Sequence, residues 1–236
     1  MPLLKKTRLS AQQRKTAIVQ AALPLFARKG YAETTTKDLA RAAGVSEPLL
    51  YKHFPSKEAL YEEIRNLCCQ GDDPSTRKFN HLINELEPST STLVHLVYYL
   101  VRVLVLGKPF GVMEADTKQR LMLKSFLEAG AFARLMYQNQ FETFCTRIEA
   151  CLKKALAAGD AVKTPLSPGN NARFAHHLSA WLALVHLPAK PALNYKVSRE
   201  ELVHQAVWFT LCGMGLTRRA IADYYNPKVL DLYFDS

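Results

Sequence analysis

The 236-residue chain is 48% hydrophobic and 22% charged, a balance that excludes a wholly disordered chain, a collagen-like fibre and a membrane channel. A net charge of +10, from 31 Lys+Arg against 21 Asp+Glu, favours an anionic partner without naming a fold. Residues 1–70 hold 12 of the basic and 6 of the acidic side chains, so over half of the excess sits in under a third of the chain.

The first fifteen residues are basic, but no apolar stretch follows them, so no signal peptide is expected. Ser10-Ala-Gln-Gln13 is a capping box that opens a first helix, with Ile18, Ala21, Ala22, Leu25 and Phe26 on one face and Gly30 at its end. Pro24 should bend it. Thr35 caps a short second helix with Asp38 at its third position, and Gly44 ends it. Ser46 caps a third helix, with Pro48 tolerated in its first turn. Pro55 stops that helix near Phe54, and Ser56 caps a fourth, from Lys57 to about Cys69.

Gly71-Asp-Asp-Pro-Ser75 reads as a break between two domains, 1–70 and 71–236, with the fourth helix bridging them. Helical periodicity then recurs at about 89–107, 115–137, 138–158, 172–187 and 199–220, the last opening on the capping box Ser198-Arg-Glu-Glu201. Leu93–Leu106 is too short to span a membrane and reads as a buried core helix. Strand alternation is rare, so the fold is expected to be all-α. The five cysteines, Cys68, Cys69, Cys145, Cys151 and Cys212, include no C-x-x-C pair, which points to free thiols in a reducing, cytoplasmic setting.

The segment Thr34–Lys57 has the anatomy of a helix-turn-helix: a small Ala40 where helices approach, a turn at Gly44, Val45 beneath it and the cap Ser46. Phe26-Ala-Arg-Lys-Gly-Tyr31, Thr34-Thr35, Leu39-Ala-Arg-Ala-Ala-Gly-Val-Ser46 and Leu50-Tyr-Lys-His-Phe-Pro-Ser-Lys-Glu-Ala-Leu60 follow one another almost without gaps. Over residues 10–65 this run resembles the DNA-binding domain of the TetR family of transcriptional regulators. Two departures are Pro24 inside the first helix and Glu47 at the start of the third. Glu47 either accepts from a cytosine amino group or repels phosphate.

The resemblance implies a three-helix DNA-binding head, joined by a bridging helix to a larger helical domain for ligand binding and dimerisation. It implies a non-enzymatic regulator, a repressor that binds a pseudo-palindromic operator as a homodimer and is released by a small hydrophobic or aromatic effector. It assigns Thr35 and Lys37 to phosphate, with a base edge also in reach of Lys37, and Ser46, Glu47, Pro48 and Leu49 to the major groove. Tyr51, Lys52 and His53 would reach phosphates or a base edge beside them, and Lys57 one more phosphate. The effector pocket would draw on Tyr99, Arg102, Phe126, Tyr137, Trp181 and His186, and the dimer on the last two long helices. No metal, cofactor or membrane partner is implied. His176-His177 is a weak metal hint, because adjacent helical residues do not share a face. Phosphate-loop, zinc-protease and nucleophile-elbow motifs are absent from the sequence. Two other classes compete: a DNA binder without sequence preference, and a helical small-molecule-binding protein or enzyme with an incidental basic head.

Overall fold

A computed structural model describes residues 9–67, 74–107 and 115–235. Their regular elements are helices, and the β-structure among them is an isolated bridge, Ala161 to Leu216. They fall into two compact units, one drawn from Met1–Gln70 and Thr117–Leu135, the other from Gly71–Asp116 and Met136–Ser236. Thr117–Leu135 therefore groups with the N-terminal residues, although it lies far along the chain.

The first unit contains α1 (Ala11–Glu33), α2 (Thr36–Ala42), α3 (Glu47–His53) and α4 (Lys57–Leu67). It also holds most of α7 (Ala115–Leu127) and α8 (Ala131–Met136). Both halves of the Ser10 capping box form, with Gln13 N–H donating to Ser10 Oγ and Ser10 N–H to Gln13 Oε1. The backbone stays helical through Pro24 and departs at Gly30 (φ 84, ψ 175), beyond which one further turn runs to Glu33. Ile18, Val19, Ala22 and Phe26 of α1 are buried with Leu39, Leu50, Phe54, Leu60 and Ile64. Phe26 meets Tyr61 edge-on at 4.9 Å, and Tyr61 faces Phe132 at 6.5 Å. Seven-residue α2 and α3 would not persist alone in water; Leu39 and Leu50 anchor them to this core.

The second unit contains α5 (Pro74–Asn84), α6 (Thr90–Leu106), a π-helical turn (Tyr137–Phe141) and α9 (Glu142–Ala157). Then come α10 (Pro168–Leu184), α11 (Arg199–Gly213), α12 (Arg218–Tyr224) and α13 (Pro227–Asp235). The expected core helix is α6: Leu93, Val94, Leu96, Val97, Tyr98 and Val101 are fully buried, and α9, α10 and α11 pack around it. Leu82 and Ile83 of α5 join the same core.

Several boundaries differ from the periodicity. The 115–137 run breaks into α7 and α8 at Gly130, whose φ is 74. The 199–220 run breaks after Gly213. Gly215 has φ 91 and lies against the Val162 carbonyl, where a Cβ would come within 2.4 Å. The Gly213-Met-Gly215 stretch therefore ends a helix and meets a loop. That loop is stitched down by Val162 N–H to the Gly215 carbonyl (2.8 Å) and Thr217 N–H to the Asp160 carbonyl (2.8 Å). Asp160 also accepts from the Thr90 hydroxyl at 2.7 Å. Cys145 and Cys151 are buried free thiols, each held above the ordinary thiol pKa by burial, Cys145 at about 11. Cys68 and Cys69 lie outside the described residues.

Candidate nucleic-acid interface

Three side-chain caps set out the helix-turn-helix. Thr35 Oγ1 accepts from Asp38 N–H at 3.1 Å to start α2, and Ser46 Oγ accepts from Leu49 N–H at 3.4 Å to start α3. Ser56 Oγ accepts from Ala59 N–H at 3.2 Å to start α4. Each satisfies an amide that the first helical turn leaves without a partner. The Asp38 carboxylate bridges Lys29 (2.7 Å) and Arg41 (2.6 Å). The Lys29 and Thr35 hydrogen bonds lower its pKa to about 2.

Around these caps, Thr35, Lys37, Ser46, Pro48, Tyr51 and Lys52 are exposed, and Glu47, Leu49, His53 and Lys57 are half-buried. Tyr51 is 46% exposed beside Leu50, which alone among α3 residues is fully in the core. The α3 surface thus offers hydroxyl, apolar, phenolic and cationic groups on one short helix. Glu47, the acidic departure, accepts from the Thr36 hydroxyl at 3.1 Å and so ties the start of α3 to the start of α2.

Lys57 is turned inward. Its Nζ donates to the carbonyls of Tyr31 (2.9 Å) and Thr34 (3.1 Å) and lies 4.2 Å from the centre of the Tyr31 ring. Two of its three N–H bonds are committed to the corner between α1 and α2, so the expectation of a phosphate ligand is revised to that of a clamp. Glu128 grips the same corner from the other polarity: its carboxylate accepts from the amides of Tyr31 (3.3 Å) and Ala32 (3.2 Å). Sequence reasoning missed Glu128, whose partners lie almost a hundred residues away. The Tyr31 hydroxyl donates to Glu58, and burial followed by that bond raises the phenol's pKa. We expect Lys57→Met to strand two carbonyls and cost about 1–3 kcal/mol of head stability. An unchanged thermal midpoint in that variant would contradict the clamp.

The six residues assigned to an effector pocket lie on several different elements. Tyr99 and Arg102 lie buried on α6, with Tyr99 against Phe79 at 5.7 Å. Tyr137 opens the π-helical turn and meets His176 edge-on at 5.5 Å. His186 bonds through Nδ1 to the Leu182 carbonyl at 2.7 Å and stacks on Tyr195. Trp181 is 64% exposed on α10. Phe126, 57% exposed, belongs to the N-terminal unit. An aromatic on a helix is equally legible in a sequence whether it points inward or outward. Among the described residues no group of three or more His, Cys, Asp or Glu is placed to hold a metal ion, and no helix is long and apolar enough to cross a membrane.

Residues 18–64 match the model of bacterial regulatory proteins of the tetR family. The nucleoid occlusion factor SlmA of Haemophilus ducreyi is 33% identical over 129 residues, which are 52% of this chain and 59% of that protein. The transcriptional repressor KstR2 of Rhodococcus jostii is 45% identical over 51 residues, 22% of this chain and 25% of that protein. The matches therefore span less than two thirds of these relatives. Among solved structures, a tetR-family regulatory protein from Rhodococcus RHA1 superposes with a TM-score of 0.60 at 16% identity, over 87% of this chain and 98% of that one. The Bacillus subtilis regulator FadR in complex with stearoyl-CoA gives 0.57 at 14%, over 84% and 98%. At these identities the likeness is one of fold.

Proposed function

The chain belongs to the tetR family of bacterial regulatory proteins, and from that premise we propose that it is a sequence-specific, ligand-responsive transcriptional repressor. The observation that carries this reading is the exposed face of α3, where Tyr51 and Lys52 stand outside a helix anchored by Leu50. In this reading α3 enters the major groove. Ser46, Pro48 and Leu49 meet base edges, Thr35, Lys37, Tyr51, Lys52 and His53 meet the phosphates, and Glu47 positions α3 through Thr36.

The operator-bound form is a homodimer. Phe174 and Trp181 of α10 are 52% and 64% exposed, and Trp208 and Phe209 of α11 are 48% and 66% exposed. Aromatic surface on this scale usually marks an interaction site, and a second copy related by a two-fold axis would bury it. Two such protomers read two matching half-sites. A small apolar effector held in the C-terminal unit releases DNA if it binds the non-DNA-competent state more tightly. A tenfold loss of operator affinity requires about 1.4 kcal/mol of such preference. The chain passes between the two units three times, around residues 70, 116 and 135, so a shift in one unit has three covalent routes to the other.

The deciding experiment is selection of bound sequences from a random duplex library at a stated salt concentration. A two-fold-symmetric motif is expected, and Tyr51→Ala should weaken binding to it by about 1–3 kcal/mol, the scale of a specific contact, with folding intact. Recovery of no motif, with binding that vanishes as salt rises, would instead identify a binder without sequence preference.

A further inference from the structure

In the C-terminal unit one carboxylate collects three side chains of α6 and α11. Tyr98, fully buried, donates its hydroxyl to Asp231 Oδ1. Arg102 Nε lies 4.0 Å from the same oxygen, and His204 Nε2 lies 3.4 Å from Oδ2. The other imidazole nitrogen is 2.9 Å from the Tyr225 hydroxyl. A phenol, a guanidinium and an imidazole thus surround one carboxylate. Burial, and then Asp231 itself, raise the Tyr98 pKa, so the phenol remains a donor at neutral pH.

The anion is delivered by α13, a helix of nine residues that is too short to be stable unsupported. Leu230 (2% exposed) and Phe234 (8% exposed) are its buried apolar side chains, while Val229 and Leu232 face outward at 58% and 74%. The Phe234 ring lies 5.4 Å from Tyr98 and 5.5 Å from Tyr99. One helix edge thus presents a carboxylate and, three residues or about 4.5 Å of helix rise further on, an aromatic ring. The receiving surface pairs a guanidinium only 8% exposed with a floor of tyrosine rings.

We propose that Asp231 and Phe234 fill, from within the chain, a binding site for a carboxylic acid with an alkyl or aryl body. Such an acid keeps every polar partner of Asp231 satisfied and lays its apolar part where Phe234 sits, and α13 leaves as it enters. A buried guanidinium beside the site favours an anion over a neutral molecule of the same shape. This proposal rests on the effector reading above and narrows the effector to an acid.

The test is calorimetric titration of the full chain with octanoate and 3-phenylpropionate, and with the two corresponding amides, in the absence of DNA. Asp231→Asn removes the internal competitor while preserving its shape. Apparent affinity scales with the open fraction of the site, so both acids should bind this variant at least tenfold more tightly than the parent, and the amides should show no such gain. His204→Gln should reduce acid affinity in the Asp231→Asn background. Arg102→Gln should do the same, and if it fails to fold, His204→Gln still decides. Equal acid affinity in parent and Asp231→Asn, no acid binding to either, or amides matching acids would each overturn the site. Acid binding that leaves operator affinity unchanged would overturn its part as effector. A duplex selection without a motif would sink the regulator reading while the calorimetry still decided the acid site.

Discussion

Gly30→Ala is expected to loosen the N-terminal unit by about 2–4 kcal/mol and to remove operator binding with it. At φ 84 and ψ 175, Gly30 occupies a region of backbone space that side-chain-bearing residues enter only at a cost of about 1–3 kcal/mol. A Cβ there would also come within 2.3 Å of Glu128 Oε1. That contact is with the end of a flexible side chain, so the clash itself is cheap. Moving Glu128 also disturbs its bonds to the amides of Tyr31 and Ala32, which lie at the surface and add about 1 kcal/mol. Amide exchange at Ile18, Val19 and Phe26 should therefore quicken by about 30- to 700-fold. Unaltered exchange would mean that this corner carries little of the unit's stability.

The second large effect is expected at Gly215. Here the obstacle is main chain: the Val162 carbonyl oxygen lies 2.4 Å from a built Cβ, Thr164 Cγ2 lies at 2.8 Å, and φ is 91. Neither the carbonyl nor Gly215 can shift freely, since Val162 N–H is itself bonded to the Gly215 carbonyl. Gly215→Ala should cost about 3 kcal/mol or more. The chain's two tryptophans, Trp181 and Trp208, both lie in this unit, so intrinsic fluorescence reports the change. The urea midpoint should fall by about 1–3 M for a typical dependence on denaturant. Gly213 is the built-in control. It lies two residues away with nothing within 4 Å of its Cβ position, and Gly213→Ala should be neutral or slightly stabilising. Similar losses in both variants would show that the effect does not come from the approach to Val162.

What was legible in the sequence was what local chemistry decides. The caps at Ser10, Thr35, Ser46, Ser56 and Ser198 and the buried run of α6 all follow from neighbours within four residues. Proline misled once. Pro74 falls in the stretch read as a break between domains, yet it opens a helix, α5, because the first helical position needs no N–H. The break after Gly213 was hidden because its cause, the Val162 carbonyl, is remote in sequence. The inward turn of Lys57 was hidden for the same reason: a cation at a helix start suggests an anion, and only the folded corner supplies two carbonyls instead. The pocket residues suffered most. Tyr99 and Trp181 look alike as helical aromatics, whereas one is 4% and the other 64% exposed.

The corner between α1 and α2 is held by atoms that every amino acid shares. Lys57 binds two carbonyl oxygens and Glu128 binds two amide hydrogens, so the grip is blind to which side chains occupy Ala32 and Glu33, both exposed. Those positions are open to mutational drift without loosening the angle between the helices. A protein that must acquire new binding preferences while keeping its reading head rigid gains from such a hinge: the geometry is stored in the backbone, and the side chains around it remain available for change.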